Sequence, residues 1–179
     1  MRFDLTKKAL SLAVVGASVI GVSAMTTGSA SAATYTCKTS DKSIDDWSYG
    51  GPLPDNFDVK IKNCIRRSGS YVYGYSTMNF DFAPEYAGTD FRDKLDGAEF
   101  RFNINHVDGG PDTVFLKKDY DLMDDFARLN GSGNVGAKTR VWKKKVGSKS
   151  AYVDGTVRLN WNRDGKGFIN HGFAGTRSV

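Results

Sequence analysis

Two histidines are the first candidates for a general base in this 179-residue chain. His106 falls on the apolar face of a predicted strand near its end, and His171 falls in the last predicted strand. Nucleophilic catalysis needs a hydroxyl or thiol within hydrogen-bond reach of such a base, and a third group that orients the base. No serine stands in a nucleophile-elbow pattern. The sequence therefore favours structural histidines, with a small secreted hydrolase as an alternative.

Carboxylates are the second candidate source of chemistry, because glycoside hydrolysis needs two of them in different environments. Glu85 and Glu99 are the only glutamates, one in a predicted loop and one on the polar face of a strand. The segment from Asn160 to Gly165 has the oxygen spacing of the first half of a calcium loop. However, His171 stands where the bidentate glutamate belongs, and no predicted helix flanks the segment. We predict no catalytic carboxylate pair, no metal and no cofactor.

The segment from Lys138 to Lys149 is rich in basic residues and holds no acid. In a continuous strand, Trp142 would share one face with Arg140 and Lys144. Tryptophan and arginine are favoured at the centres of protein interfaces, so the stretch is a candidate contact surface for an acidic partner. An edge strand that lysines protect against aggregation explains the same pattern equally well. The candidate partner-binding residues are Arg140, Trp142, Lys143, Lys144 and Lys145.

Tyr71, Tyr73 and Tyr75 share one face of another predicted strand. If that face is exposed, the rings offer a flat platform for sugars, and if it packs inward they are large core residues. Val72 is the only strongly apolar residue on the opposite face before Met78, which favours the core interpretation. A carbohydrate-binding or cell-wall-binding module is therefore the second choice of function, with polysaccharide as the partner.

The first 32 residues have the three parts of a secretory signal peptide. Residues 1–8 are net positive, residues 9–24 form an uncharged apolar run, and Ala30-Ser31-Ala32 offers a small-residue cleavage site. A helix over residues 9–24 would span roughly 24 Å, short of the ~30 Å bilayer core. We predict cleavage after Ala32 and a secreted single domain of residues 33–179 without a membrane anchor. Removing the leader lowers the formal net charge from +5 to +3, too little to indicate a nucleic-acid partner.

Cys37 and Cys64 are the only cysteines, and both follow the predicted cleavage site. An even pair of cysteines in an exported protein most often forms one disulfide. The bridge would close a loop of about 27 residues, which contributes roughly 3–4 kcal/mol on a chain-entropy estimate. We predict that this disulfide pins the N-terminal segment to a strand.

Alternation of apolar and polar residues dominates the rest of the chain and predicts strands. It places strands at Phe57 to Cys64 and at Tyr71 to Phe80, joined as a hairpin by Ser68-Gly69-Ser70. Strands at intervals of roughly ten residues favour an all-β antiparallel sandwich, with a β-barrel as the alternative. The remaining predicted elements are strands at 99–106, 113–118, 135–146, 151–161 and 166–174, a helix at 121–129 and a tight turn at 162–165.

The predicted mature start Ala33-Thr34-Tyr35-Thr36-Cys37 and the segment from Leu159 to Gly167 resemble those of small secreted β-rich proteins of actinobacteria. The resemblance implies export and a one-disulfide β fold, and it transfers no functional residue. Acids concentrate at 41–58 and 119–125, away from the basic stretch, and a dipolar surface of this kind steers an oriented encounter. We predict a secreted, non-catalytic module that binds another secreted or cell-surface protein. It would serve as an adaptor subunit of an extracellular toxin assembly or as an inhibitor of a secreted enzyme.

Overall fold

Antiparallel strands form two sheets in the computed structural model, which describes residues 34–45, 57–82, 90–107, 111–127 and 134–179. These residues belong to one compact unit, Ala32–Val179, and the predicted leader and its cleavage site lie outside them. The strands are β1 (Thr36–Ile44), β2 (Phe57–Ser68), β3 (Tyr71–Phe82), β4 (Leu95–His106), β5 (Thr113–Asp121), β6 (Asn134–Lys138), β7 (Trp142–Lys145), β8 (Ala151–Trp161) and β9 (Phe168–Phe173).

The first sheet has the strand order β1-β2-β3-β6, and β7 pairs with the other half of β3. The second sheet has the order β5-β4-β8-β9. The inner faces of both sheets supply one hydrophobic core, and the sheets do not close into a barrel. The predicted antiparallel sandwich is confirmed.

Close approach of the two sheets depends on a glycine in β3. A Cβ atom on Gly74 would lie 2.7 Å from Cγ2 of Val153 and 2.9 Å from Cζ of Phe102. Both contacts are shorter than real Cβ contacts, so a side chain here would push the sheets apart. The largest fully buried side chains of the core include Ile61, Ile65, Phe80, Phe100, Phe102 and Ile104.

A disulfide joins Cys37 and Cys64, as predicted, and these residues lie directly opposite each other in the β1–β2 register. β1 is an edge strand, and Ile44 is its one buried residue. The strand therefore depends on its backbone ladder and the disulfide more than on apolar burial.

The predicted helix at 121–129 is shorter in the structure, where α1 spans Met123–Phe126. Asp121 instead ends β5, and its carboxylate accepts a hydrogen bond of 2.9 Å from the backbone N–H of Met123. Leu122 and Phe126 are buried, in agreement with the predicted apolar face. Leu129 lies outside the described residues. Within the described ranges, no helix is long and apolar enough to span a membrane.

The predicted strand at 135–146 is in fact two strands, β6 and β7, with a bulge between them. Thr77 lies opposite Lys138, whereas Gly74 lies opposite Trp142. Three steps along β3 therefore correspond to four steps along β6–β7. One extra residue is accommodated, which is the definition of a β-bulge.

Thr139 anchors the bulge against β3. The backbone N–H of Ser76 donates to Oγ1 of Thr139, and the backbone N–H of Thr139 donates to the carbonyl of Ser76, both at 3.0 Å. Because a one-residue insertion reverses the alternation of side chains, Arg140 stays exposed while Trp142 turns into the core. The prediction that Arg140 shares a face with Trp142 and Lys144 is wrong for this reason.

Candidate binding face

The tyrosines of β3 lie on the outer face of the first sheet, so their interpretation as core residues is wrong. Tyr71 is 36% exposed, and Tyr73 and Tyr75 are half-exposed. The alternating positions point inward instead and are buried: Val72, Gly74, Ser76 and Met78.

Two small residues account for this orientation. Gly74 leaves room for the opposite sheet, as described above. Ser76 is buried, and its hydroxyl donates a 2.6 Å hydrogen bond to Oδ1 of Asn63 on the neighbouring strand. A core face made of small and hydrogen-bonded residues does not look apolar in the sequence.

Tyr73 lies between two cations that come from the strands on either side of β3. Arg66 of β2 and Lys143 of β7 are its direct neighbours in the ladder. The guanidinium carbon of Arg66 is 4.4 Å from the centroid of the Tyr73 ring, and Nζ of Lys143 is 5.6 Å from it. Nζ of Lys143 is also 4.1 Å from the centroid of Tyr71. The cations thus lie over the rings rather than extending freely into solvent.

Tyr75 has a similar environment one row further along the sheet. Nζ of Lys138 is 4.9 Å from its ring centroid, and the ring of Tyr35 meets it edge to face at 5.0 Å. Arg66 is 5.3 Å from the ring of Tyr35 and so links the two rows. We call this surface the tyrosine–cation face: Tyr35, Arg66, Tyr71, Tyr73, Tyr75, Lys138 and Lys143.

The cations of the tyrosine–cation face form no ion pair with a carboxylate in the described parts of the chain. A cation over an aromatic ring gains roughly 0.5–1 kcal/mol at an exposed site, and it keeps its full charge. The rings therefore hold the cations in place without neutralising them. Charged groups that are already held in place lose less conformational entropy when they contact an anionic group.

Trp142, the aromatic residue of the predicted contact stretch, is not accessible. Its side chain is 8% exposed, and its ring packs against Phe102 with centroids 4.5 Å apart. Arg140 remains exposed, with its guanidinium carbon 5.9 Å from the indole. The indole therefore supports the core and not a partner surface.

The other predicted contact residues divide between two faces. Lys143 belongs to the tyrosine–cation face, and Lys145 is exposed opposite Tyr71. Lys144 is half-buried on the inner side. β7 is also a four-residue strand that pairs only with β3 among the described strands, as expected of a protected edge. Edge protection and partner binding are thus compatible uses of the same lysines, and the binding role stays a prediction.

The two histidines are far apart. His106 lies with Nδ1 2.7 Å from the carbonyl oxygen of Ser150, and its ring stacks on Phe115 at 5.2 Å. His171 is half-buried, and burial together with the nearby charge of Lys42 lowers its pKa. The two histidines pair with β8 positions six residues apart, which corresponds to roughly 20 Å. The structure does not bring them into one site.

Two arginines on the outer face of the second sheet form ion pairs, whereas Lys117 on the same face lies opposite Asn103. Arg101 binds Asp119 across the β4–β5 pair through two hydrogen bonds of 2.8 and 3.0 Å, which lowers the pKa of that carboxyl. Arg158 forms an ion pair with Glu99 and donates to Asn170 at 3.0 Å. We call this surface the ion-paired face: Glu99, Arg101, Asp119 and Arg158.

Comparison with known proteins adds little. No family model matches the chain, and no curated protein matches it. Among solved structures, the chain is similar to the KRT10-binding region domain of the pneumococcal serine rich repeat protein PsrP. The sequence identity is 13%, the TM-score is 0.34, and the match covers 82% of this chain and 99% of that one.

Proposed function

We propose that the protein is a secreted, non-catalytic module that binds another secreted or cell-surface protein through the tyrosine–cation face. The observation that carries this proposal is a row of cations held over tyrosine rings with no carboxylate partner among the described residues. Tyrosine and arginine are also among the residues that contribute most to protein interfaces. Secretion is supported by the leader pattern and by the disulfide, which is typical of oxidising compartments.

An acidic partner fits this surface better than a neutral sugar. Stacking of a sugar requires an open ring face, and Tyr73 has a cation from each neighbouring strand close to its ring. The cations near these rings attract an acidic partner, whereas a neutral sugar gains nothing from their charge. The carbohydrate-binding alternative through Tyr71, Tyr73 and Tyr75 therefore has weaker support than protein binding.

An adaptor subunit of a toxin assembly and an inhibitor of a secreted enzyme are the two roles that this module could fill. Both need a specific, stoichiometric interface rather than general attraction, which a charge-segregated surface favours. They differ in outcome: an adaptor joins two proteins in one complex, whereas an inhibitor abolishes the activity of one.

The test is capture followed by measured affinity. The disulfide-bonded protein is immobilised and exposed to the secretome of the producing culture, and a retained protein is identified by mass spectrometry and purified. Calorimetry then compares wild type with Arg66→Ala and with the control Arg101→Ala on the ion-paired face. We expect Arg66→Ala to weaken binding about 10-fold to 30-fold and Arg101→Ala to leave it within about twofold. Equal affinities for all three proteins would contradict the proposal.

A further inference from the structure

The edge strand β1 has one unpaired side. It ends the strand order of the first sheet, so no described strand pairs with it on the side away from β2. The Cα atoms of Cys37 and Cys64 are 4.1 Å apart, which is the spacing of an antiparallel pair that exchanges no hydrogen bonds. Because this pattern alternates along a strand, the backbone N–H and C=O groups of Thr39, Asp41 and Ser43 also point away from β2. These groups are available to another strand.

The side of β1 that faces the second sheet carries positive charge along this edge. Lys38 and Lys42 are four positions apart and so lie on the same side of the strand. Nζ of Lys42 is 5.9 Å from the ring centroid of Phe173 on β9, which shows that this side faces the second sheet. Neither lysine forms an ion pair with a carboxylate of the described residues. Asp41 lies on the other side of β1, directly opposite Lys60.

A groove of about 500 Å³ opens at the Lys38 end of the edge, between β1 and the segment that follows β9. Arg177 contributes a second cation from that segment, and no carboxylate is among the lining residues. Two cations on the two walls, with no acid between them, suit a carboxylate from outside. The groove is lined by Thr36, Cys37, Lys38, Gly175, Thr176 and Arg177.

We propose that the free edge of β1 binds an extended acidic segment of another protein as an additional strand. The backbone groups of Thr39, Asp41 and Ser43 supply the hydrogen bonds of the new ladder. Acids opposite Lys38 and Lys42 supply the selectivity, since opposite charges in facing positions stabilise a strand pair. The segment therefore needs acids four positions apart, on one side of the strand. This contact is separate from the tyrosine–cation face and goes beyond the proposed function.

The same lysines disfavour a second copy of this chain as the added strand. In an antiparallel pair of two β1 strands centred on Ser40, each Lys38 would lie directly opposite Lys42 of the other copy. Like charges in directly opposite positions destabilise a sheet. An acidic segment has the opposite sign at both positions, so the edge discriminates between the two occupants.

Fluorescent heptapeptides test the added strand on the disulfide-bonded protein. The first, Thr-Glu-Val-Thr-Val-Glu-Thr, has its acids four positions apart, and its isomer Thr-Glu-Val-Thr-Glu-Val-Thr has them three apart and so on opposite sides. Two N-methylated forms of the first peptide each block one of its two alternating sets of N–H groups, and only one set can face β1. Binding is measured by fluorescence anisotropy at about 0.1 M salt, which screens distant charges.

We expect the first peptide to bind more tightly than its isomer, and one N-methylated form to lose binding while the other keeps it. Lys38→Glu should weaken binding of the first peptide about fivefold to twentyfold, because an attractive pair becomes repulsive. The matched control is Lys62→Glu on the outer face of the neighbouring strand β2, for which we expect less than about a twofold change.

Equal affinity for the two isomers, or for the two N-methylated forms, would overturn the proposal. So would the absence of measurable binding of the first peptide. Arg66→Ala separates this edge from the tyrosine–cation face and should leave peptide binding unchanged. A loss of binding with Arg66→Ala but not with Lys38→Glu would place the peptide on the tyrosine–cation face. The added strand would then be wrong, and the proposed function would stand.

Discussion

The outer faces of the two sheets both carry arginines, but these arginines contact carboxylates on one face and tyrosine rings on the other. On the ion-paired face, Arg101 and Arg158 lie opposite Asp119 and Glu99, so each positive charge has a negative one beside it. On the tyrosine–cation face, the neighbours of the cations are tyrosine rings. On the ion-paired face, the charges of the arginines are compensated by carboxylates of the same chain. On the tyrosine–cation face, the charges have no such compensation among the described residues.

If the tyrosine–cation face binds a partner as proposed, stability and recognition are separated between the two sheets. A partner that docked on the ion-paired face would have to break cross-strand pairs before it gained new contacts. A partner on the tyrosine–cation face meets side chains that are already ordered and still charged, so less conformational entropy is lost on binding. The arginines of the two outer faces therefore differ in their partners, which are carboxylates on the ion-paired face and tyrosine rings on the tyrosine–cation face.

The largest expected effect tests the dependence of the tyrosine–cation face on a covalent link. Replacing Cys37 and Cys64 by serine should lower the free energy of unfolding by roughly 3–4 kcal/mol, since the denatured chain is no longer cross-linked. Tyr35, which precedes β1, should also lose its contact with Tyr75, and partner affinity should fall. Thermal unfolding of the oxidised wild type and the double variant checks this. An unchanged melting temperature would show that the ladder alone holds β1.

The next effect concerns recognition alone. Arg66→Glu combined with Lys143→Glu should weaken partner binding about 100-fold or more, because two attractive contacts become repulsive. The charge-matched control is Lys117→Glu combined with Lys118→Glu on β5, for which we expect less than a threefold change. Calorimetry with the purified partner measures both. Equal losses in the two variants would mean that only overall charge matters and would remove the distinction between the faces.

A smaller effect should appear in stability and not in binding. Arg158→Ala leaves Glu99 half-buried without its cation, which costs about 1–2 kcal/mol. For a domain of this size the melting temperature should fall by roughly 2–8 °C. Partner affinity should stay the same. A loss of affinity without a loss of stability would place the binding surface on the second sheet and contradict the proposal.

The smallest effect is pH-dependent. Arg101 lowers the pKa of Asp119 in the folded state, so the pair stabilises the fold above the unfolded pKa near 3.8 and ceases to do so as pH falls through the lowered value. Arg101→Gln should therefore have a slightly lower melting temperature than wild type at pH 7, by less than about 1 kcal/mol in stability. The gap should close as pH falls below 3.8 and through the lowered pKa of Asp119. A gap that persists at pH 2 would assign the effect to packing of the arginine stem.

Much of the fold follows from the sequence because alternation and turn residues are local signals. The hairpin at Ser68 to Ser70 fixes the pairing of β2 with β3, and that register already places Arg66 opposite Tyr73. Arg66, which the sequence analysis did not select, could thus have been identified by extending the hairpin register from the turn to Tyr73. The oxidising context and the even cysteine count sufficed for the disulfide.

The bulge at Thr139 and the inward direction of Gly74 could not be predicted from the pattern of a single strand. The bulge at Thr139 depends on hydrogen bonds to Ser76, a residue more than sixty positions earlier. The inward direction of Gly74 depends on Val153 and Phe102 in the other sheet. In both cases small or polar residues occupy the inner face, so the apolar pattern that usually marks the core is weak. The tyrosine face of β3 is then the more apolar of the two in sequence, so it is interpreted as the buried face.

In the proposed complex, a partner covers the tyrosine–cation face and leaves the second sheet free. Lysine acetylation of the free protein and of its complex, followed by peptide mass spectrometry, tests this directly because both sheets carry exposed lysines. We predict protection of Lys138, Lys143 and Lys145 in the complex, with Lys117 and Lys118 of β5 modified at their original rates. Protection of the β5 lysines with continued modification of Lys138 and Lys143 would contradict the account.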